Sequence, residues 1–146
     1  MMRSLALLSI FALVSPARAA DSLKLAITGP FTGGSAPMGA SMRDGAKLAI
    51  AEINAAGGIQ TAAGKLKIEA IERDDEAKNE RGAQIAQELI NKEKVVAVGG
   101  YINTGVGLAS ERFFQDAKIP VMNNVATGLM PLSASAFSRS ARPSWP

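Results

Sequence analysis

LKLAITGPFTGGSAPMGASMRDGAKLAIAEINAAGGI, residues 23–59, decides the fold. Leu23 to Thr28 alternates apolar and polar side chains and stops at Gly29-Pro30, the signature of a short strand. A Gly/Ser/Pro loop follows through Ser35. Met42, Ala46, Ala49, Ile50 and Ile53 then share one side of a helix with 3.6 residues per turn. Gly57-Gly58 ends that helix, where a left-handed residue without Cβ is favoured. The stretch is one β-α unit.

Working outward, the unit repeats. Leu66 to Glu72 alternates as a strand with one covered face, and Arg73 to Lys78 follows as a charged loop. Asn79 can cap a second helix whose apolar face is Gly82, Ile85, Ala86, Leu89 and Ile90. Val95 to Val98 is continuously apolar, the pattern of a strand buried on both faces of a parallel sheet. A third helix starts near Asn103, with Val106, Ala109, Phe113, Phe114 and Ala117 on one face. Ile119 to Met122 is a fourth strand, and Asn123 to Gly128 the loop beyond it. The order β-α-β-α-β-α-β predicts an α/β fold with a parallel sheet, helices on both faces and right-handed crossovers.

Ligands of such sheets bind beyond the carboxyl ends of the strands. That rule singles out the loops Gly29–Met38, Gly100–Thr104 and Asn123–Gly128. Asn103 is placed to cap the third helix, whose N-terminal N–H groups suit a carboxylate, and Thr127 adds a hydroxyl nearby. On composition alone the structural reading comes first, with Asn103 as a cap and Thr127 as a turn residue. The glycines at 29, 33 and 34 fit no phosphate-binding spacing and read as a turn. Asp74 and Asp75 are adjacent carboxylates of the kind that do acid–base or metal chemistry, but their charged neighbours favour a solvated loop.

Composition removes whole classes of function. The chain has neither cysteine nor histidine, so a thiol nucleophile, a Cys/His zinc site, a histidine base and a disulfide framework are all excluded. No G-x-S-x-G elbow is present, and nothing points to a cofactor, a catalytic residue or a metal. The formal charge is +3, but Arg3, Arg18, Arg139 and Arg142 lie near the ends, and without those four charges the remainder stands at −1. No basic stripe remains for nucleic acid.

The first nineteen residues predict export. Arg3 supplies the positive region, LALLSIFALV (5–14) the apolar core, and Ala17-Arg18-Ala19 the small-residue cleavage site. The apolar run is too short to span a membrane, which takes about 20 residues.

Several runs resemble the periplasmic leucine/isoleucine/valine-binding protein family of ABC transporters. AITGPFTGGSAPMGASMRDGAKLAIAEINAAGGI (26–59) is similar to the opening of that family, and INAAGGI is its most specific piece. LKIEAIERDDEA (66–77), VVAVGGYINTG (95–105) and IPVMNNVATG (119–128) follow in the family's order. The resemblance implies a type I periplasmic-binding fold, in which two α/β lobes close on an amino acid and present it to a membrane permease. It assigns the ligand's α-carboxylate and amino group to Tyr101, Ile102 and Asn103 and to Val125, Ala126 and Thr127. The family usually carries Ser or a similar small residue where Asn103 stands. Met38 occupies a place where an aromatic often lines the pocket, which leaves the side-chain preference open.

The expected organisation is a signal peptide (1–19), an incomplete N-terminal ligand-binding lobe (20–128) and an irregular Ser/Pro/Arg-rich tail (129–146). The composition changes sharply at Leu129, which suggests a truncated product with a tail read out of frame. The resemblance places the acidic partner of the ligand's amino group in the second lobe. The expectation is therefore a monomeric, periplasmic, non-enzymatic binding component for a branched-chain or related amino acid, serving an ABC permease. A ligand-sensing regulatory receptor of the same fold, and a remnant that no longer binds, are the alternatives.

Overall fold

The computed structural model describes residues 22–62 and 64–126; the expected signal peptide (1–19), Thr127 and the segment beyond it lie outside the described residues. Four strands form one parallel sheet: β1 (Leu23–Gly29), β4 (Ile68–Asp74), β5 (Ala97–Gly100) and β6 (Val121–Asn123), in the order β4-β1-β5-β6. The helices are α1 (Ala36–Ala55), α2 (Asn79–Glu88) and α3 (Thr104–Asp116). Stepping from β1 to β4 runs one way across the sheet, and stepping from β4 to β5 to β6 runs the other. Right-handed crossovers therefore put α1 on one face and α2 with α3 on the other. The contacts agree, since α1 packs on β1 and β4 while α2 and α3 pack on each other.

Hydrophobic burial on the α2/α3 side is nearly complete. Ala26 and Val98 lie side by side in register and meet Ile85, Ala86, Leu89, Val106 and Phe114. These are the helical positions the 3.6-residue period selects. Gly82 sits where the two helices touch: a Cβ there would stand 2.4 Å from Val106 Cγ1 and 3.0 Å from Ser110 Oγ. Ala117 alone of the expected α3 face is exposed, and Ser110 is buried instead, donating to the Val106 carbonyl at 2.8 Å.

Several expected boundaries move. The strand expected over Leu66–Glu72 is β4, shifted to Ile68–Asp74, and an unexpected short antiparallel hairpin, β2 (Ile59–Thr61) with β3 (Gly64–Leu66), precedes it and takes Leu66. Arg73 and Asp74 belong to β4 instead of a loop, and Arg73 pairs with Glu88 at 2.9 Å and Glu93 at 2.8 Å. Lys78, not Asn79, is the N-cap of α2, with no side-chain cap. After α2 the chain widens into a π-helical turn, Leu89–Glu93. The apolar run Val95–Val98 is not buried on both faces: Val95 and Val98 are buried, whereas Val96 is 48% exposed. Val96 precedes β5, and α1 is drawn over β1 and β4 instead.

INAAGGI proves to be a folding device. Asn54 donates through Nδ2 to the Ile68 carbonyl at 2.8 Å and accepts from the Ile68 N–H at 2.7 Å, tying the end of α1 to the start of β4. Gly58 has φ +97°, and a Cβ on it would lie 2.2 Å from the Leu66 carbonyl oxygen, so only glycine fits the turn into the hairpin.

Candidate functional site

All four strands end at the same edge, and the loops leaving that edge define the site. The first loop runs from Pro30 to Ser35 and is held from below. Asp74, the last residue of β4, accepts from the Phe31 N–H at 2.8 Å and from Thr32 Oγ1 at 2.7 Å, and also from the Glu76 N–H at 2.9 Å. Burial works to raise the Asp74 carboxyl, but the hydrogen bonds from Thr32, Glu76 and Phe31 outweigh it and hold the group below the usual carboxylate range. The Arg43 guanidinium stands 5.2 Å over the Phe31 ring. Gly39 lets α1 approach the loop: a Cβ there would be 2.0 Å from the Pro30 carbonyl oxygen. Pro37 and Met38 then open α1, with Met38 51% exposed.

The second loop leaves β5 at Gly100, whose φ of +148° brings it so close to Thr28 that a Cβ would meet the Thr28 carbonyl oxygen at 1.9 Å. Tyr101 follows with φ +61°. Its N–H donates to the Thr28 carbonyl at 3.1 Å, and its own carbonyl accepts from Val125 at 3.4 Å and Ala126 at 3.1 Å. The ring lies in the core, 1% exposed. Burial, the largest influence, drives its hydroxyl well above the usual range; the Ser110 hydroxyl lowers it and the Asp75 charge raises it further. Ile102 is 8% exposed. Asn103 is the N-cap of α3 with an extended backbone, but its side chain makes no cap hydrogen bond. Its Oδ1 is buried with no protein partner. The first N–H groups of α3, which no carbonyl within the helix can reach, point out of this end.

The third loop follows β6. The Asn124 N–H donates to the Gly100 carbonyl at 2.9 Å, so this loop is sewn to the second one. Asn124 and Val125 face Pro37, Met38, Ser41 and Met42 across an open cleft of about 520 Å³. No charged side chain lines it, and no grouping of acidic residues fit to hold a metal occurs among the described residues. Such a cleft offers apolar surface from two methionines, a valine and a proline, with hydroxyl and amide groups at Ser41 and Asn124.

The structure thus brings Met38 and Val125 together. Asn103 stands at the carboxyl edge of the neighbouring strand, outside the cleft lining. The Tyr101 and Ile102 side chains are turned into the interior, leaving only main chain and position to the site, because the left-handed turn at Tyr101 sends its ring beneath α3. Ala126 packs against the core, and Thr127 lies outside the described residues. Ser41, Met42 and Asn124 are not singled out by the sequence: the helical period assigns Met42 to the core face of α1, Ser41 carries no signal, and Asn124 falls in the ligand loop 123–128 without a mark of its own. Nor do Asp74 and Asp75 form a solvated loop: Asp74, at the end of β4, is half-buried. Asp75 is fully buried, accepting from the Ala77 N–H at 2.9 Å. The available signal was the repeated spacing of an aspartate two residues before a backbone donor, which makes successive Asx turns.

Comparison with known proteins adds to this geometry. The pattern of a family described as periplasmic binding protein matches residues 22–144, beyond Gly128 and through most of the Ser/Pro/Arg-rich segment. The leucine-, isoleucine-, valine-, threonine- and alanine-binding protein of Pseudomonas aeruginosa is 30% identical over 125 residues, which are 86% of this chain and 32% of that protein. A branched-chain amino acid transporter substrate-binding protein from Streptococcus pneumoniae, solved with isoleucine, superposes with a TM-score of 0.65 at 31% identity, over 70% of this chain and 28% of its own. A solute-binding protein of an ABC transporter from Rhodopseudomonas palustris, solved with 3,4-dihydroxybenzoic acid, gives 0.59 at 35% identity, over 70% and 26%. The chain spans about a third of the length of the curated relative or less.

Proposed function

The chain belongs to the periplasmic binding protein family, and from that premise we propose that it supplies the first lobe of a periplasmic solute receptor for an ABC importer, with a branched-chain amino acid as ligand. The observation that carries this reading is the cleft between the start of α1 and the loop after β6, at the carboxyl edge of the sheet. Its methionines and Val125 suit a branched aliphatic side chain. The uncompensated N-terminus of α3 beside it, with Asn103 as cap, suits a carboxylate without a counter-charge. A second lobe would contribute the opposite wall, and the partner at the membrane would be the permease. In this reading residues 1–19 direct export and are removed, and the receptor works as a monomer.

A second reading has an observation in its favour. One relative was solved with an aromatic carboxylate, and a charge-free, methionine-lined cleft accepts a flat ring as well as an isobutyl group. The two share a carboxylate and differ in the amino group, which needs an acidic partner.

Calorimetric titration of the folded chain with leucine, isoleucine, valine and 3,4-dihydroxybenzoate tests the proposal. Saturable heat with the aliphatic amino acids supports it, and saturation by the aromatic acid alone moves the ligand to the second class. A folded chain that responds to none of the four defeats the reading of this cleft as a ligand half-site.

A further inference from the structure

We propose that Asp74 is the positioning residue of the half-site: its carboxylate fixes Phe31 and Thr32 against α1 and thereby sets where Met38 and Met42 stand on the cleft wall. The inference rests on reading the cleft as a ligand site, and it names the group that gives that site its shape.

Asp74 itself does not line the cleft. Its two carboxylate oxygens take separate tasks, Oδ1 accepting from the Phe31 N–H at 2.8 Å and Oδ2 from Thr32 Oγ1 at 2.7 Å. Both donors lie more than forty positions away in the chain, so this bond pair, not local turn chemistry, decides where the loop sits. The loop in turn presses on α1. The Pro30 carbonyl oxygen occupies the space beside Gly39, and the Phe31 ring lies within van der Waals reach of a Cβ built there, at 3.4 Å. Gly29 is packed against the terminal methyl of Met42, which a Cβ on Gly29 would approach to 2.8 Å. Gly39 directly follows Met38, and Met38 and Met42, one helical turn apart, both line the cleft. A loop released from Asp74 therefore changes the position of the two side chains that would grip an apolar ligand.

A neighbouring anchor makes the device separable from folding. The Asp75 N–H donates to the Gly29 carbonyl at 3.0 Å, so the root of the loop stays attached when the Asp74 carboxylate is replaced. Removing the carboxylate should loosen the loop beyond Gly29 and leave the sheet intact.

The test uses the full chain and two variants, Asp74→Asn and the milder Thr32→Val, with methyl-labelled methionine and amide exchange. Met122, on the other side of β5 from β1 and 72% exposed, serves as an internal control. In Asp74→Asn the Phe31 amide should exchange about tenfold faster or more, as expected for loss of a charge-assisted bond. The Met38 and Met42 methyl resonances should move while Met122 stays in place, and Thr32→Val should show the same pattern at smaller amplitude. Titration with leucine and with 3,4-dihydroxybenzoate should show affinity reduced by about tenfold in Asp74→Asn. Unmoved Met38 and Met42 methyls beside a faster Phe31 amide overturn the proposal, because Asp74 would then staple the loop without shaping the wall. Should Asp74→Asn fail to fold, Thr32→Val decides by the same methyl signals. If neither compound binds the unaltered chain, the ligand reading fails by itself, and the methyl shifts still decide the role of Asp74.

Discussion

Two adjacent carboxylates, Asp74 at the end of β4 and Asp75 just beyond it, face opposite fates. Asp74 is held below the usual range because its hydrogen-bond donors outweigh its burial. Asp75 is pushed up by burial, which the Ala77 N–H offsets only in part and the Asp74 charge reinforces. Its Oδ2 is buried with no protein partner. The signs of the pH dependence follow. The stability contributed by Asp74 is present above its unfolded pKa and is lost as pH falls through the lowered folded value. The contribution of Asp75 is fully present below its unfolded pKa and is lost as pH rises through the raised folded value, so at neutral pH its ionisation works against the fold. Asp75→Asn should therefore raise the urea midpoint at pH 7, and the advantage should vanish in acid below about pH 4. Asp74→Asn should cost about 1–2 kcal/mol at pH 7, the lower end applying because the group is partly solvated, with the cost shrinking in acid. Urea unfolding of both variants across pH checks this, and parallel behaviour of the two would refute the division. The sequence showed the pair and its charge. It could not show which oxygens are covered, because that depends on Phe31 and Thr32, donors brought in from a distant loop.

Among the elements, α2 was legible, α1 less so, since Ala49 of its expected core face is exposed, and short strands were not. Gly82, Ile85, Ala86 and Leu89 were selected by period alone, and all four are buried. A three-residue strand such as β2 or β3 has no period to read, and of the hairpin between α1 and β4 only Leu66 falls within an expected strand. Gly57-Gly58 marks the turn into it, but in the sequence the pair signals no more than a helix stop. The period also does not tell a core glycine from an idle one, although the structure does. Gly82 lies where α2 meets α3, while Gly45, inside α1, has nothing within 4 Å of a built Cβ. Gly82→Val should cost about 2–3 kcal/mol, because Val106 and its backbone must give way. Gly45→Ala should instead stabilise the protein by about 0.5–1 kcal/mol through helix propensity. Thermal melts of the two variants separate these cases, and equal effects would mean that the close approach of α2 and α3 at Gly82 relaxes without cost.

For the whole molecule, alternation of strands and helices together with the handedness of crossovers was enough to foresee the parallel sheet, the two helical layers and the edge where the cleft forms. What it could not foresee is how unevenly the layers cover the sheet. Two helices pack on one face, whereas α1 alone lies on the other, over β1 and β4. Ala97 and Gly99 of β5 and Met122 of β6 face that side by alternation with the buried Val98. Met122 is 72% exposed and Leu48 of α1 is 63% exposed. Run composition alone made β5 look doubly buried, because apolar residues state a preference for cover without stating what provides it. These exposed apolar side chains should bind a dye such as anilinonaphthalene sulfonate while the protein is fully folded. Leu48→Lys combined with Met122→Lys should remove at least half of that fluorescence. Stability should change by no more than about 0.5 kcal/mol, since neither side chain gives up packing in the change. Fluorescence that survives the double substitution would place the dye elsewhere, with the cleft at Met38 and Met42 as the other apolar surface to examine. A large loss of stability would instead mean that Leu48 and Met122 are packed in solution, and that α1 covers more of the sheet than its contacts with β1 and β4 indicate.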